Sequence, residues 1–229
     1  MSEKMLRLHS YESFGAVDGP GIRLVVFLQG CPLRCIFCHN PDTWDPQGGV
    51  SVTKEEIVKR ARRMRPYLGA EGGVTFSGGE PLLQAAALIP VIHALHDEGF
   101  HVAIDTSGAI DTPEARQVLD LADLILLDVK SPFPDRFKEI TGLDFIATKQ
   151  IFDYLKEIRK PVWIRQVVAH GLNHTEAEKD ATKSLIHGLN VQRIDRLPYH
   201  ELGLHKYESL GIPYRGSMLS VPTQEELSL

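Results

Sequence analysis

Short, nearly unbroken apolar runs recur along this chain, and the segments between them place apolar residues at helical spacing. The runs are residues 24–28 (LVVFL), 74–76 (VTF), 102–104 (VAI), 124–127 (LILL), 162–164 (VWI) and 194–197 (IDRL). Strands covered on both faces read as continuous apolar runs, whereas half-solvated strands alternate. The intervening segments carry helix punctuation. Thr53 with Glu56, and Thr175 with Glu178, have capping-box spacing. Pro81 and Pro113 stand where a first helical residue is expected, and Gly99 where a helix should stop. Ile151, Leu155 and Ile158 recur at helical spacing, and Pro90, inside a helical pattern, predicts a kink or break.

Strand and helix alternate, so we expect a parallel sheet with right-handed crossovers. Six such units follow a short N-terminal strand at residues 6–11. A closed barrel of this kind uses eight. The expected α/β fold is therefore a partial, open (β/α)6 barrel, with an open doubly wound sheet as the alternative. No linker, low-complexity stretch or repeat interrupts the chain, and we expect residues 1–229 to form a single domain.

Composition narrows the function. The chain has 229 residues, is 43% hydrophobic and 24% charged, and carries a formal net charge of −5. Nucleic-acid binders usually show a basic excess. The one basic cluster, residues 59–65 (KRARRMR), shares a helix with the apolar stripe Ile57, Ala61, Met64 and Leu68, which makes it a solvated face. The first residues, MSEKMLRLHS, contain no apolar leader, and no apolar run reaches membrane-spanning length. We expect no nucleic acid, no membrane and a cytoplasmic location, where thiols stay reduced.

Polar signatures follow the C-terminal ends of the expected strands. They are the cysteine loop after Leu28, SGGE after Phe76, DTSG from Asp105, DVK from Asp128, Arg165 within the fifth run and YHELG after Pro198. In parallel α/β folds these ends converge on one face, where sites are built. All three cysteines of the chain, Cys31, Cys35 and Cys38, fall in the first of these loops. A Cys₃His zinc site could add His39, but His39 directly follows Cys38, and adjacent residues rarely both reach one tetrahedral ion. The Cys-x-x-Cys-His run also fits c-type haem attachment, which needs export, and a C-x-x-C redox pair would leave Cys31 idle. An iron–sulfur cluster held by three thiolates agrees with compartment, thiol count and spacing, and leaves one iron open to a ligand.

The C-x₃-C-x₂-C spacing resembles the signature of the radical S-adenosylmethionine (SAM) family. The resemblance is closer to its glycyl-radical activases, of the kind that acts on pyruvate formate-lyase. It runs in order from HSYESFGAVDGPGIR through GCPLRCIFCHNPDTW, SGGEPLLQ, DTSG, LLDVK and VWIRQVV to LPYHELGLHKY, nearly the whole chain. It implies the radical SAM type of partial barrel and a 4Fe–4S cluster on Cys31, Cys35 and Cys38, with SAM on the open iron. The implied reaction is reductive cleavage of SAM to a 5′-deoxyadenosyl radical, which takes hydrogen from a glycine Cα of a partner glycyl-radical enzyme. The resemblance further implies flavodoxin or ferredoxin as electron donor, and a monomeric protein.

The same resemblance assigns roles residue by residue. Phe37 and Asn40 flank the last thiol beside the cofactor. Gly78, Gly79 and Glu80 meet the SAM ammonium, and the glycines would also let a ligand approach the backbone closely. Asp105, Thr106, Asp128 and Lys130 lie near the SAM carboxylate and ribose. Asp105, Thr106 and Asp128 would also hold a Na⁺ or K⁺ ion, because three anions in one dry mouth need a cation between them. The alternative is that each carboxylate is paired separately and no ion binds. Arg165 sits in an apolar strand and needs a partner such as a ligand carboxylate. His200 is expected to contact SAM. Asp18, in a Gly/Pro loop, reads either as a turn residue or as a neighbour of the incoming glycyl peptide. The chain stops at VPTQEELSL, where the family continues a helix and usually a strand, so we expect a shortened C-terminal element beginning at Thr223.

Overall fold

The computed structural model describes residues 5–229. Residues 1–4, part of the segment read above for a leader, lie outside the described residues. One sheet of eight strands runs through the molecule: β1 (Leu6–Gly15), β2 (Arg23–Leu28), β3 (Val50–Val52), β4 (Gly73–Gly78), β5 (His101–Thr106), β6 (Leu124–Asp128), β7 (Pro161–Val168) and β8 (Asn190–Pro198). Their order is β3-β1-β2-β4-β5-β6-β7-β8. β1 pairs antiparallel with β2 and β3, and the remaining pairs, from β2 to β8, are parallel. The six parallel strands are the six apolar runs of the sequence. β3 was not anticipated; three residues carry too little pattern to read.

The sheet is curled. Asp18, just before β2, comes within 4.0 Å of Arg165 on β7. In a flat sheet four strand spacings of ~4.8 Å, roughly 19 Å, would separate those strands. The His39 ring, after β2, lies 4.0 Å from that of His200, after β8, five spacings away. The strands therefore bend around a common interior, as the partial barrel requires, and a flat doubly wound sheet is set aside.

Curling gives each strand an outer and an inner face. Val74, Phe76, Val102, Ile104, Ile125, Leu127, Val162 and Ile164 point outward into the main core. There they meet the apolar stripes of α1 (Lys54–Leu68), α2 (Ala85–Asp97), α3 (Pro113–Leu121) and α5 (Ile146–Glu157). The alternate residues Ser77, Asp105, Asp128, Arg165 and Asp195 point inward. The lower interior is filled by Ala103, Leu124 and Leu126 with Trp163 against them. Arg23, fully buried on β2, donates to Thr75 Oγ1 (2.9 Å) and the Val74 carbonyl (2.7 Å).

Thr53 and Glu56 form the reciprocal capping box at the start of α1. On that helix Arg62 and Arg65 reach Glu98, and Arg60 covers the Tyr11 ring, so the basic cluster serves packing and local pairing. Thr175 caps α6 (Glu176–Ile186), but its partner Glu178 turns its carboxylate to Ser131 instead of closing the box. Pro113 opens α3 as expected. Pro81 instead opens a 3₁₀ turn, Pro81–Gln84, that precedes α2. α2 continues through Pro90 as one helix, contrary to the expected break. The proline forfeits one backbone bond in the second turn. α4 (Pro134–Thr141) and α7 (Leu204–Leu210) pack beside the mouth, and α8 (Gln224–Leu227) is capped by Thr223 with Glu226. Among the described residues no helix is long and apolar enough to cross a membrane.

Candidate active site at the strand ends

The loop after β2 is held on three sides. Gly30, at φ +95°, turns the chain, and its N–H donates to the Thr43 carbonyl at 2.7 Å. Arg34 N–H and Ile36 N–H donate to the Thr141 and Ile140 carbonyls at the end of α4 (2.7 and 2.9 Å). From α7, Tyr207 donates its hydroxyl to the Cys38 carbonyl (3.0 Å), and Lys206 bonds Asn40 Oδ1 (2.8 Å). Ile36 and Phe37 sink into a second apolar cluster with Ile140, Leu172 and Tyr199. The result is that Cys31, Cys35 and Cys38 line one cavity of about 510 Å³ at the strand ends.

Burial pushes all three thiols up. Cys35 is raised to about 12 despite the nearby Lys130 ammonium. Cys31 is raised by burial and then by Glu80, and it also feels the other two thiols. Cys38 is raised by burial against two opposing hydrogen bonds. Metal binding therefore has to expel protons from the site. His39 is not turned toward the thiols. Its ring stacks on His200 at 13° between planes, and its Nε2 meets the His200 carbonyl at 3.0 Å. The Cys₃His zinc reading thus has no fourth ligand here.

Gly78 and Gly79 are required by chain packing. A Cβ on Gly78 would lie 2.4 Å from Leu28 N, and one on Gly79 would lie 2.2 Å from the Gly30 carbonyl oxygen. Such contacts are impossible for any other residue, so the two strand ends need these glycines whether or not a ligand approaches. The Glu80 carboxylate is fully engaged within the protein. Oε1 accepts from Thr106 Oγ1 (2.6 Å) and Leu82 N–H (3.1 Å), and Oε2 from Ser107 N–H (3.0 Å) and Ser107 Oγ (2.6 Å). It lines the cavity and clamps β4 to β5. Burial still raises its carboxyl above the usual range.

The charged residues meet as the sheet order requires. Asp105 Oδ2 accepts from Ser77 Oγ (2.7 Å) and from Arg165 Nη1 (3.2 Å). Burial raises the Asp105 carboxyl, with Arg165 opposing and Asp128 adding to the rise. Asp128 Oδ2 accepts from Lys130 Nζ at 2.8 Å. Burial opposes the Lys130 charge, but Asp128 and Cys35 outweigh it. Arg165 is held protonated, chiefly by Asp105. Asp18 lies at the edge with its carboxyl raised by burial, and its carbonyl accepts from Thr75 Oγ1 (2.6 Å). The Thr106 hydroxyl faces Glu80. In this arrangement Asp105 and Asp128 are paired separately with side-chain cations, the alternative to the shared Na⁺ or K⁺.

A model of the radical SAM superfamily matches residues 25–183. The pyruvate formate-lyase-activating enzyme of Clostridium pasteurianum is 44% identical over 213 residues, covering 92% of this chain and 89% of that protein. The chain belongs to this family of activating enzymes. The Escherichia coli K12 pyruvate formate-lyase 1-activating enzyme is 38% identical over 225 residues, covering 96% of this chain and 92% of its own. Among solved structures, a domain of the Bacteroides vulgatus pyruvate-formate lyase-activating enzyme aligns at TM-score 0.55 with 24% identity, over 68% of this chain and 88% of that one. The Streptococcus suis protein SuiB, bound to S-adenosylmethionine, aligns at TM-score 0.66 with 15% identity, over 79% of this chain and 41% of that one. These two likenesses are of fold.

As a radical SAM family member, the chain uses a 4Fe–4S cluster and SAM. The residues fit the cluster: three buried thiols on one cavity, soft donors suited to iron and sulfur, with the adjacent imidazole engaged elsewhere. Of the expected site residues, Phe37, Asn40, Gly78, Gly79, Glu80, Asp105, Thr106, Asp128, Lys130, Arg165 and His200 line that cavity with the thiols, and Asp18 adjoins it through Arg165. Sequence reading missed Ser77, Arg193 and Asp195. Arg193 pairs with Asp195 (2.7 Å) and lies over the Trp163 ring (4.9 Å). The signal was present: Arg193, Asp195 and Leu197 alternate along β8 and share its inner face.

Proposed function

We propose that the chain activates a glycyl-radical enzyme, pyruvate formate-lyase or a relative, by taking a hydrogen atom from a partner glycine Cα. The observation that carries the reading is the three-thiol loop facing the charged strand ends across a single cavity. When bound there, cluster and SAM supply one-electron cleavage of the sulfonium and a carbon radical able to abstract that hydrogen. The protein's own part is placement. Cys31, Cys35 and Cys38 hold the cluster, and the Gly78 and Gly79 backbone with Lys130 and Arg165 orients the amino-acid end of SAM. Phe37, Asn40 and His200 border its other parts. Glu80, through Thr106 and Ser107, keeps the walls of the cavity at fixed separation. The Asp18 loop, whose Gly19 and Gly21 have φ of +131° and +63°, borders the entry for a glycyl segment. Flavodoxin or ferredoxin delivers the electron, and the protein acts as a cytoplasmic monomer.

The test is isotopic. With a Cα-deuterated glycine in a peptide of the partner's loop, deuterium is expected in 5′-deoxyadenosine. Transfer from a small metabolite but never from the peptide would overturn the reading. Na⁺ or K⁺ belongs to the same reading in a specific form: Arg165 or Lys130 would turn to the SAM carboxylate, and Asp105 and Asp128 would then share an ion. SAM affinity should then fall when a bulky tetraalkylammonium salt replaces the alkali cation. Equal affinity in both salts would remove the cation from the account.

A further inference from the structure

The hydrogen bonding of the three thiols is uneven. The donors that ease Cys31 and Cys35 downward are the backbone N–H groups of Leu33 and Cys35. Cys38 has a backbone donor too, Asn40 N–H at 3.4 Å from its sulfur. The indole of Trp44 lies beside it. The Trp44 Nε1 atom is buried and has no hydrogen-bond partner among the described residues. A buried indole N–H ordinarily finds an acceptor. The acceptor beside this one in the loop is the Cys38 side chain. A donor so placed bonds an anionic ligand sulfur more strongly than a neutral thiol.

The indole is fixed by what surrounds it. Its ring packs edge-on against Tyr207 (5.9 Å, 85°), and the Arg34 guanidinium covers it at 4.8 Å. The backbone N–H of Trp44 donates to the Pro41 carbonyl (3.2 Å) and its backbone carbonyl accepts from Cys31 N–H (3.3 Å), so the residue is bound into the same loop as the thiols. A donor held there has an asymmetric effect on a cluster. It withdraws electron density from the ligand sulfur and favours the state with more negative charge, the reduced one.

We propose that the Trp44 indole N–H donates to the Cys38 sulfur of the bound cluster and raises its reduction potential. Trp44 acts through Cys38 and touches neither substrate nor partner. The proposal rests on the three-thiolate cluster and not on the identity of the hydrogen donor, so a failed label transfer leaves it standing.

The experiment is a spectroelectrochemical titration of the reconstituted full-length protein, without partner, comparing wild type with Trp44→Phe, which keeps a ring and removes the N–H. The expected result is a more negative midpoint at unchanged iron and sulfide content. A roughly tenfold shift in the reduction equilibrium would be about 59 mV for a one-electron couple. An unchanged or more positive midpoint at full iron content overturns the proposal. Should Trp44→Phe lose the cluster, the same titration is run with benzothienylalanine in place of tryptophan, an isostere with sulfur for the N–H. It is compared with tryptophan itself in a Trp163→Phe background, so that position 44 alone differs. A negative shift there supports the proposal, and no shift overturns it.

Discussion

The outer and inner faces of the curled sheet are built from alternate residues of the same strands, yet they do opposite work. On β7, Val162, Ile164, Gln166 and Val168 are buried outward, while Trp163, Arg165 and Val167 face the interior. The outer face gains stability by removing apolar surface from water. The inner face spends stability, holding Asp105, Asp128, Lys130 and Arg165 in a confined space where each charge needs another. Because the side-chain period is two, a slip of one residue would exchange the faces. The parallel register from β2 to β8 therefore fixes core and chemistry together.

Substitutions on each face separate the two roles. The largest effect belongs to the loop at the inner end: Cys31→Ala, Cys35→Ala or Cys38→Ala should each abolish SAM cleavage, and His39→Ala should retain iron. Iron analysis after anaerobic reconstitution checks this, and loss of iron in the His39 variant would break the three-thiolate assignment. On the outer face, Phe76 is fully buried in the main core. Phe76→Ala should cost about 3–5 kcal/mol in denaturant unfolding, while the molecules still folded bind iron normally. Glu80→Ala lies between the faces and removes the acceptor of four hydrogen bonds. It should cost roughly 1–3 kcal/mol for the donors left behind and weaken SAM binding measured by calorimetry. The smallest effect is at the C-terminal end, where Thr223→Ala deletes a cap at about 1 kcal/mol. Hydrogen exchange should show that loss confined to residues around α8.

The outer face was legible in the sequence because its signal is continuous: apolar runs give strands, apolar stripes give helices, and Thr53 and Pro113 mark starts. β3 and the fate of Pro90 were not legible, since one is too short to show a period and the other is a proline whose lost backbone bond the helix tolerates. The cysteine loop and the polar strand ends announced the site. What they did not reveal was pairing. That Glu80 spends both oxygens on Thr106, Ser107 and Leu82, and that Asp105 and Asp128 meet Arg165 and Lys130, follows from curvature that brings distant strand ends together. The glycines of SGGE show the converse: their need is explained by contacts with Leu28 and Gly30, which no local pattern displays.

The clasp of α7 on the cysteine loop has a consequence in time. Tyr207 bonds the Cys38 carbonyl across 169 residues of chain, and Lys206 bonds Asn40 across 166. Contacts of such separation form only after most of the chain has been ordered. During synthesis, which runs from the N-terminus, the thiols emerge first, and the residues that hold their loop follow 166 to 169 residues later. A nascent chain thus carries its thiols without that clasp until Tyr207 has been made. A cluster bound by the three thiols before that point would lack the clasp that α7 places on their loop.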